Sequence, residues 1–238
     1  MFKFSFIFLI FIFNLSFSNE RTIQNDFDNK IKNFILKNPE VIIKSLKIYE
    51  ENQAKEEEKE KNKFISENSE EIYKSNGNLY DGKVDSDLII VEYFDYNCGY
   101  CKKFHQELRS ALKEEQNLKV VYKNLPVLSE NSKFLAKISI AIGLTSNKNF
   151  LSFHEFVMNS KKQIKENDLK MKIQNLNLDY SKILELSKSK EIEKIIEKNF
   201  IQANSLGIRG TPAIVVKNEV IEGYVSRKLI RSLLQTQQ

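Results

Sequence analysis

Two cysteines separated by two residues are the most chemically informative feature of this sequence. Cys98 and Cys101 follow a run of apolar residues and precede a stretch in which apolar side chains recur every three or four positions. This pattern predicts a strand, with the cysteines then lying at the start of a helix. Thiols at this spacing can close a small disulfide ring with little backbone movement, which suits reversible redox exchange.

The expected helix start gives the two thiols different properties. Backbone N–H groups in the first turn of a helix lack partners, and together with the helix dipole they favour a thiolate at Cys98. Cys98 is therefore predicted to be the nucleophile, with a lowered pKa. Cys101 lies one turn inside the helix and is predicted to be the shielded, resolving thiol. Lys102 and Lys103 follow, and they either help to hold the thiolate or are ordinary solvated lysines.

Two further features fit the same chemistry. Glu92 interrupts the apolar run before the cysteines, where burial would raise the pKa of its carboxyl group and let it exchange protons with Cys101. On a half-exposed strand it would face solvent instead. Thr211 and Pro212 precede a second apolar run, and a cis bond between them would leave backbone groups of Thr211 free to pair with a substrate peptide. An ordinary trans turn is the alternative.

Other uses of a cysteine pair require residues that are missing at the necessary positions. Haem attachment needs a histidine directly after the second cysteine, and that residue is Lys102. A structural zinc site needs further ligands, but only His105 and His154 are available, and His105 is expected on the surface of the helix. His154 and Glu155 begin a metalloprotease-like pattern that Met158 does not complete. No metal site is predicted, and no cofactor beyond a redox-active disulfide between the two cysteines.

Composition excludes several classes of protein. The chain has 238 residues, of which 41% are hydrophobic and 29% charged, with 37 Lys plus Arg against 32 Asp plus Glu. The lysines are mixed with glutamates along the chain, so no nucleic-acid partner is expected. Two cysteines are too few for a scaffold held by disulfides. Seven glycines and three prolines indicate a chain in which helix dominates.

The first residues have the pattern of an export signal. A short positively charged start is followed by apolar residues 4–13, and residues 16–18 place small side chains around a cleavage site. We therefore expect cleavage after about Ser18 and a periplasmic or otherwise exported location, where disulfides form. The alternative, an uncleaved anchor helix, would need roughly 20 apolar residues, and this run has only about 14.

Residues 19–75 are predicted to form a helical segment with a charged linker. Apolar residues at helical spacing within 19–49, interrupted at Asn38-Pro39, predict two short amphipathic helices. The charged stretch 51–63 predicts a solvated helix or a helical linker. Since two short helices cannot bury their own apolar stripe, we expect a homo-oligomer through residues 19–49, with docking on the main domain as the alternative.

Residues 76–238 are predicted to form an α/β domain. A strand at 88–94, the helix after Cys98 and a second strand at 118–122 make a βαβ unit, which implies that the two strands are parallel. The expected elements after this unit are a helical layer at 129–206, a hairpin at 213–221 that turns at 217–219, and a helix at 226–234.

Together these residues resemble the DsbA-like thiol-disulfide oxidoreductases of the thioredoxin superfamily. The resemblance rests on the segment from Val91 to Lys102 and on Gly210-Thr211-Pro212-Ala213, and it covers about residues 77–238. It implies an α/β thioredoxin fold with an inserted helical domain, here with an N-terminal helical extension. In that family the first cysteine attacks, the acid in the strand is buried and the proline follows a cis bond; the matching residues are Cys98, Glu92 and Pro212.

The resemblance leaves the direction of electron flow open. Gly99 and Tyr100 between the cysteines, and Thr211 before the proline, are more similar to disulfide isomerases and ScsC-type proteins than to the founding oxidase, which has Pro-His and Val. The N-terminal motif Asn38-Pro39-Glu40-Val41 is similar to oligomerising relatives. The expected function is thiol-disulfide exchange with cysteine-containing exported proteins, as an oxidase or an isomerase, with a membrane redox partner. A non-enzymatic exported chaperone or copper-binding protein that uses the same thiols is the alternative.

Overall fold

The computed structural model describes residues 25–75, 77, 79–216 and 219–235. The predicted export signal at 1–18 lies outside the described residues. The chain divides after Lys59 into two compact units. Within the described ranges, no helix is both long and apolar enough to cross a membrane.

Two helices dominate the N-terminal region. Residues 25–37 form α1, and α2 spans Glu40–Glu67. Pro39 separates them because it has no N–H to continue the hydrogen bonding of α1, and the Asn38 side chain caps the end of α1 by donating to the Phe34 carbonyl at 2.7 Å. The predicted break is confirmed. The second helix is not short, however, because α2 has 28 residues and continues through the charged stretch.

The second unit, residues 60–238, contains a five-stranded sheet. Its strands are β1 (Tyr80–Gly82), β2 (Leu88–Phe94), β3 (Leu118–Asn124), β4 (Ala213–Val216) and β5 (Glu219–Glu222), in the spatial order β1-β3-β2-β4-β5. Strands β2 and β3 are parallel, as predicted, and the other neighbouring pairs are antiparallel. The sequence does not predict β1, because three residues are too few to show strand alternation.

Helices supply the crossover between the parallel strands and a large insertion. Helix α4 (Gly99–Glu114) connects β2 to β3, a short helix α3 (Ser69–Tyr73) precedes the sheet, and α10 (Arg227–Gln235) follows it. The helical insertion predicted between the second strand and the hairpin is confirmed. Its members are α5 (Glu130–Thr145), α6 (Asn147–Met158), α7 (Glu166–Asn175), α8 (Tyr180–Leu186) and α9 (Lys190–Ser205).

Apolar clusters cover both faces of the sheet. Alternation along β2 places Ile90 and Phe94 in the larger cluster, and Val91 and Tyr93 in the smaller one. The larger cluster contains both cysteines and side chains from α4 and the helical insertion. The smaller cluster includes buried residues from the end of α2 and from α3. Because both faces are covered, β2 is an almost continuous apolar run, and Glu92, on the same face as Ile90 and Phe94, is enclosed by the larger cluster.

Candidate active site

The cysteine pair lies where β2 ends and α4 begins. Cys98 is the N-cap residue of α4, and its sulfur accepts a hydrogen bond from the backbone N–H of Cys101 at 3.3 Å. The helix start predicted at this point is confirmed. The two cysteines are free thiols. A hydrogen bond from the Cys101 thiol, supported by backbone N–H groups, outweighs partial burial and lowers the pKa of Cys98 to about 6.

The second thiol has the opposite environment. Cys101 is fully buried, whereas Cys98 retains 7% exposure. Burial raises the pKa of Cys101, since a thiolate loses its hydration in an apolar interior. The site therefore combines one thiol that ionises near neutral pH with one that keeps its proton until a base removes it.

Side chains from distant parts of the sequence hold the turn that carries Cys98. The Asp95 carboxylate accepts hydrogen bonds from the backbone N–H groups of Asn97 at 2.8 Å and Leu128 at 3.0 Å. The Asn97 side chain in turn donates to Asn131 and to Ser132, each at 3.0 Å. These contacts tie the turn to the start of α5. The contacts of Asp95 with Leu128 and of Asn97 with Asn131 and Ser132 join residues more than 30 positions apart, and sequence reasoning missed them for that reason.

The loop before β4 completes the surroundings of Cys98. The bond between Thr211 and Pro212 is cis, as the resemblance implies. The pairing of β4 with β2 sets Ala213 opposite Tyr93 and so brings this loop to the end of β2. The Cys98 thiol donates to the Thr211 carbonyl at 3.2 Å, a contact between residues 113 positions apart.

Glu92 is the acidic residue of β2, and it lies inside the protein. Its side chain is fully buried, and neither carboxyl oxygen has a hydrogen-bond partner among the described residues. Burial, reinforced by the negative charge of Cys98, raises the pKa of Glu92 to about 8. Of the two positions that the sequence allows for Glu92, the structure has the buried one. The charge of Glu92 also contributes, after burial, to the raised pKa of Cys101, so the two groups interact electrostatically.

The two lysines after the cysteine pair have other partners. Lys102 donates to the Ser160 carbonyl at 2.7 Å, which ties the start of α4 to the end of α6. The Lys103 ammonium lies 5.3 Å from the centroid of the Tyr100 ring. Hydrogen bonds, and not these lysines, account for the lowered pKa of Cys98.

The prediction that His105 lies on the helix surface is wrong. His105 is 1% exposed, and its Nε2 is 2.8 Å from the Glu155 carboxylate. Helical spacing already contained the signal, because His105 follows Cys101 by four residues and precedes Leu108 by three, on the buried face of α4. His154 is buried as well. Across the described ranges, no group of three or more His, Cys, Asp or Glu side chains is arranged to hold a metal ion.

Residues 89–235 match the DSBA-like thioredoxin domain family. A curated relative, a probable disulfide bond formation protein D from Bacillus cereus, is 26% identical over 150 residues, which are 58% of this chain and 69% of the relative. The solved structure of the thiol-disulfide exchange protein alpha-DsbA2 from Wolbachia pipientis is similar at 20% identity, with a TM-score of 0.69 over 76% of this chain and 97% of the other.

A linker-deletion mutant of ScsC from Proteus mirabilis is also similar, with 20% identity and a TM-score of 0.69 over 90% of this chain and 94% of the other. At this level of identity the solved structures show a shared fold. The family match shows more than a shared fold, because it spans more than half of the chain and includes nearly all of β2, the cysteine pair and the loop with the cis bond. The chain therefore belongs to the DSBA-like thioredoxin domain family and is an enzyme of the thiol-disulfide oxidoreductase class.

Proposed function

We propose that this protein is exported and exchanges disulfides with cysteine-containing exported proteins through Cys98 and Cys101. The observation that carries the proposal is the different environment of two thiols at a helix start, since Cys98 Sγ accepts a hydrogen bond from the Cys101 N–H at 3.3 Å and Cys101 is fully buried. The pKa of Cys98 is lowered to about 6, and burial raises the pKa of Cys101. A pair of this kind can attack a disulfide with one sulfur and complete the reaction with the other.

The first step on a substrate disulfide is attack by the Cys98 thiolate. A bond forms between Cys98 Sγ and one substrate sulfur, and the other substrate sulfur leaves as a thiolate. The helix-start N–H groups that stabilise the Cys98 thiolate also make it a good leaving group in the reverse reaction. The Thr211 carbonyl, 3.2 Å from Cys98 Sγ, is positioned to accept a backbone N–H of the substrate peptide.

The second step needs Cys101 to lose its proton. Glu92 as carboxylate accepts that proton, and the Cys101 thiolate then attacks Cys98 Sγ, forming the intramolecular disulfide and releasing the second substrate thiolate. The pair is oxidised by two electrons and the substrate disulfide is reduced. In the oxidase direction every step reverses, and protonated Glu92 returns the proton to Cys101 as this sulfur leaves. A pKa near 8 suits Glu92 to both tasks near neutral pH.

The direction of the reaction in the cell depends on a partner that resets the pair. We propose a membrane redox protein in that role, which would keep Cys98 reduced for isomerisation or restore the disulfide for oxidation. Gly99, Tyr100 and Thr211 favour the isomerase direction by resemblance. Oxidants and reductants of this kind differ by only a few kcal/mol in the relative stability of the dithiol and the disulfide. A change of 30 mV in reduction potential corresponds to about 1.4 kcal/mol.

Recovery of activity from a ribonuclease with scrambled disulfides tests the proposal. The reduced mature protein from residue 19 onward should restore ribonuclease activity, and Cys98→Ala should not. Fast oxidation of reduced ribonuclease by the disulfide form, with no rescue of the scrambled form, would show an oxidase instead. A protein inactive in both assays would overturn thiol-disulfide exchange as its function.

Amino-terminal sequencing of the protein from a cell-envelope fraction tests export and the cleavage after about Ser18.

A further inference from the structure

The proposed role of Glu92 requires its proton to reach solvent. Glu92 and Cys101 are both fully buried, so neither can exchange a proton directly with water. If Glu92 could not release the proton that it takes from Cys101, it could act as a base in only one turnover. If Glu92 has the function proposed above, the protein must contain a route by which the Glu92 proton reaches solvent.

A row of buried polar groups leads from the interior to the surface on the same side of the sheet. The Tyr96 hydroxyl is 3.0 Å from Nδ1 of His154. The ring centroids of His154 and His105 are 5.0 Å apart. Nε2 of His105 is 2.8 Å from the Glu155 carboxylate, whose side chain is 45% exposed. The row therefore begins in the core and ends in solvent.

Its inner end lies beside Glu92. Tyr122 is the register partner of Glu92 on β3, so both side chains point to the same face of the sheet. The Tyr122 ring lies 4.4 Å from the His154 ring, centroid to centroid, and its buried hydroxyl has no hydrogen-bond partner among the described residues. After burial, the charge of Glu92 contributes to the raised pKa of both Tyr122 and Tyr96.

The two imidazoles have complementary unpaired nitrogens. The Glu155 carboxylate can only accept a hydrogen bond, so Nε2 of His105 carries the hydrogen and Nδ1 is left as an acceptor. When Nδ1 of His154 accepts the Tyr96 hydroxyl proton, Nε2 of His154 is left as a donor. These two nitrogens are buried and have no partner in the described part of the chain. Burial lowers the pKa of both imidazoles, which favours neutral rings that change tautomer as a proton passes.

We propose that His154 and His105 form a proton path between Glu92 and solvent, with Tyr96 or Tyr122 at its inner end and Glu155 at its outer end. The Glu92 carboxyl group and the two facing imidazole nitrogens have no hydrogen-bond partner among the described residues, so the transfer from Glu92 and the transfer between the rings each need a bridging water or a small side-chain movement. A proton that leaves the Glu92 carboxyl group then enters His154 on one nitrogen while the ring releases its other proton toward His105. His105 passes a proton from Nε2 to Glu155, which releases it to water. The two histidines do not contact the substrate or the reacting sulfurs. They act on the reaction only by carrying protons to and from Glu92. The titratable and charged groups that face the two rings are Tyr96, Asp81 of β1, Tyr122 of β3, Arg109 of α4 and Glu155 of α6.

Single-turnover kinetics separate a proton path from a structural role. The chain has no tryptophan, so the reaction of the reduced protein with a disulfide-containing peptide would be followed by rapid acid quenching and mass spectrometry of the mixed disulfide in H₂O and in D₂O. We expect Glu155→Gln and His154→Phe each to slow the step completed by Cys101 by about tenfold, a modest part of what a positioned proton-transfer group contributes. The solvent isotope effect should rise in both variants. The equilibrium constant with glutathione should stay within about twofold of wild type, because a path changes rates and not end states.

Asp81→Asn is the matched control. Asp81 pairs with Arg109 at 2.6 Å and lies near His105, but it makes no hydrogen bond to an imidazole, so the variant removes a carboxylate charge from the same region without breaking the row. Its kinetics should resemble wild type. Should His154→Phe fail to fold, Glu155→Gln decides the question, because its side chain is at the surface.

Two results would overturn the path. One is an unchanged rate and isotope effect in Glu155→Gln; the other is a rate loss of the same size in Asp81→Asn, which would indicate a general charge effect. Glu92→Gln separates a failure of the proposed role of Glu92 from a failure of the proposed path through the histidines. If that variant reacts at the wild-type rate, the proposed role of Glu92 fails. If Glu92→Gln is slow and Glu155→Gln is not, only the path through the histidines fails.

Discussion

Cys98 and Cys101 share one short motif and yet have opposite acid–base properties. One turn of helix separates them, so that Cys98 receives hydrogen bonds from the helix start while Cys101 is enclosed by the larger apolar cluster. Glu92 shares that enclosure without a hydrogen-bond partner in the described ranges, and its carboxyl group is therefore neutral over most of the physiological pH range. Hydrogen bonding therefore sets the acidity of Cys98, and burial sets the acidity of Cys101 and Glu92.

The reactivity of Cys98 should depend on pH with an inflection near its lowered pKa of about 6. Below that pH the thiol is protonated and unreactive, and above it the thiolate reacts. Alkylation by iodoacetamide, followed by mass spectrometry, should show this inflection. In Cys101→Ala the inflection should move to higher pH, because the side-chain hydrogen bond that contributes most to the shift is lost. An inflection that does not move would show that the Cys101 thiol has no part in stabilising the thiolate.

Glu92 should make the reduced protein less stable as pH rises. Its pKa is raised from 4.5 to about 8 in the folded state, so between these values the folded protein binds more protons than the unfolded chain, and the free energy of unfolding falls with increasing pH. Glu92→Gln removes this dependence. Urea unfolding should show that the stability of the variant relative to wild type increases by about 2 to 3 kcal/mol between pH 5 and pH 7. Equal differences at both pH values would contradict a buried, titrating Glu92.

Packing of helices on both faces of the sheet positions the site. Strand β2 carries Glu92 and ends at the cysteine turn, and its two neighbours β3 and β4 bring Tyr122 and the Thr211 loop to the same region. On the other face, Lys123 of β3 is 1% exposed and donates to the carbonyls of Glu71 at 3.1 Å and Lys74 at 2.9 Å. This buried ammonium donates hydrogen bonds to carbonyls at the end of α3, which have no partner within the helix, and so attaches that helix to the sheet.

Lys123→Met should reduce the free energy of unfolding by about 1 to 3 kcal/mol, because the two carbonyls at the end of α3 lose a charged donor. Lys119→Met is the matched control on the same strand. The half-buried Lys119 donates to the Val84 carbonyl at 3.0 Å, and its ammonium lies 5.3 Å from the centroid of the Tyr80 ring, so its removal should change stability by less than about 1 kcal/mol. Chemical unfolding curves measure both. Equal losses in the two variants would show that the buried contacts of Lys123 contribute nothing beyond a surface hydrogen bond.

The N-terminal helices expose a large apolar surface for a protein in water. Along α1 and the first part of α2, side chains such as Phe34 and Leu46 are 55% and 56% exposed. The other large apolar side chains exposed there are Phe27, Ile31, Leu36, Val41, Ile42, Ile43, Ile48 and Tyr49. This number of exposed large apolar side chains on two helices is typical of a surface that associates with another protein surface. A second copy of the same segment is the partner that we propose, as the sequence predicts for residues 19–49.

Light scattering of the mature protein should therefore give the mass of a homo-oligomer. Phe34→Glu combined with Leu46→Glu should yield a monomer, because burying two carboxylates in an apolar interface is unfavourable. The exchange reaction of this variant with a small peptide disulfide should stay at the wild-type rate. Glu56→Gln combined with Lys59→Gln, which removes an exposed ion pair of α2, is the control and should leave the mass unchanged. A wild-type monomer would contradict the proposed self-association.

Features that depend on neighbouring residues could be predicted from the sequence. The strand at β2, the helix that starts after Cys98, the break at Pro39 and the helical insertion all follow from patterns that repeat within a few positions, because backbone hydrogen bonding and side-chain periodicity are local. The pairing of the thiols is local too, since three positions along a helix return to the same side. The family resemblance adds the cis bond at Pro212, which no local pattern establishes by itself.

Contacts between distant residues were decided only by the tertiary structure. The Thr211 carbonyl reaches Cys98 because β4 pairs with β2, and His105 meets Glu155 because α6 packs near α4. Neither pairing leaves a signal in a single sequence, since the helical spacing that places His105 on the buried face of α4 does not identify the residue that His105 meets there. The local sequence thus determined which side chains carry the chemistry. Long-range packing buries Cys101 and Glu92 and so raises the pKa of both groups, whereas hydrogen bonds at the start of α4 lower the pKa of Cys98.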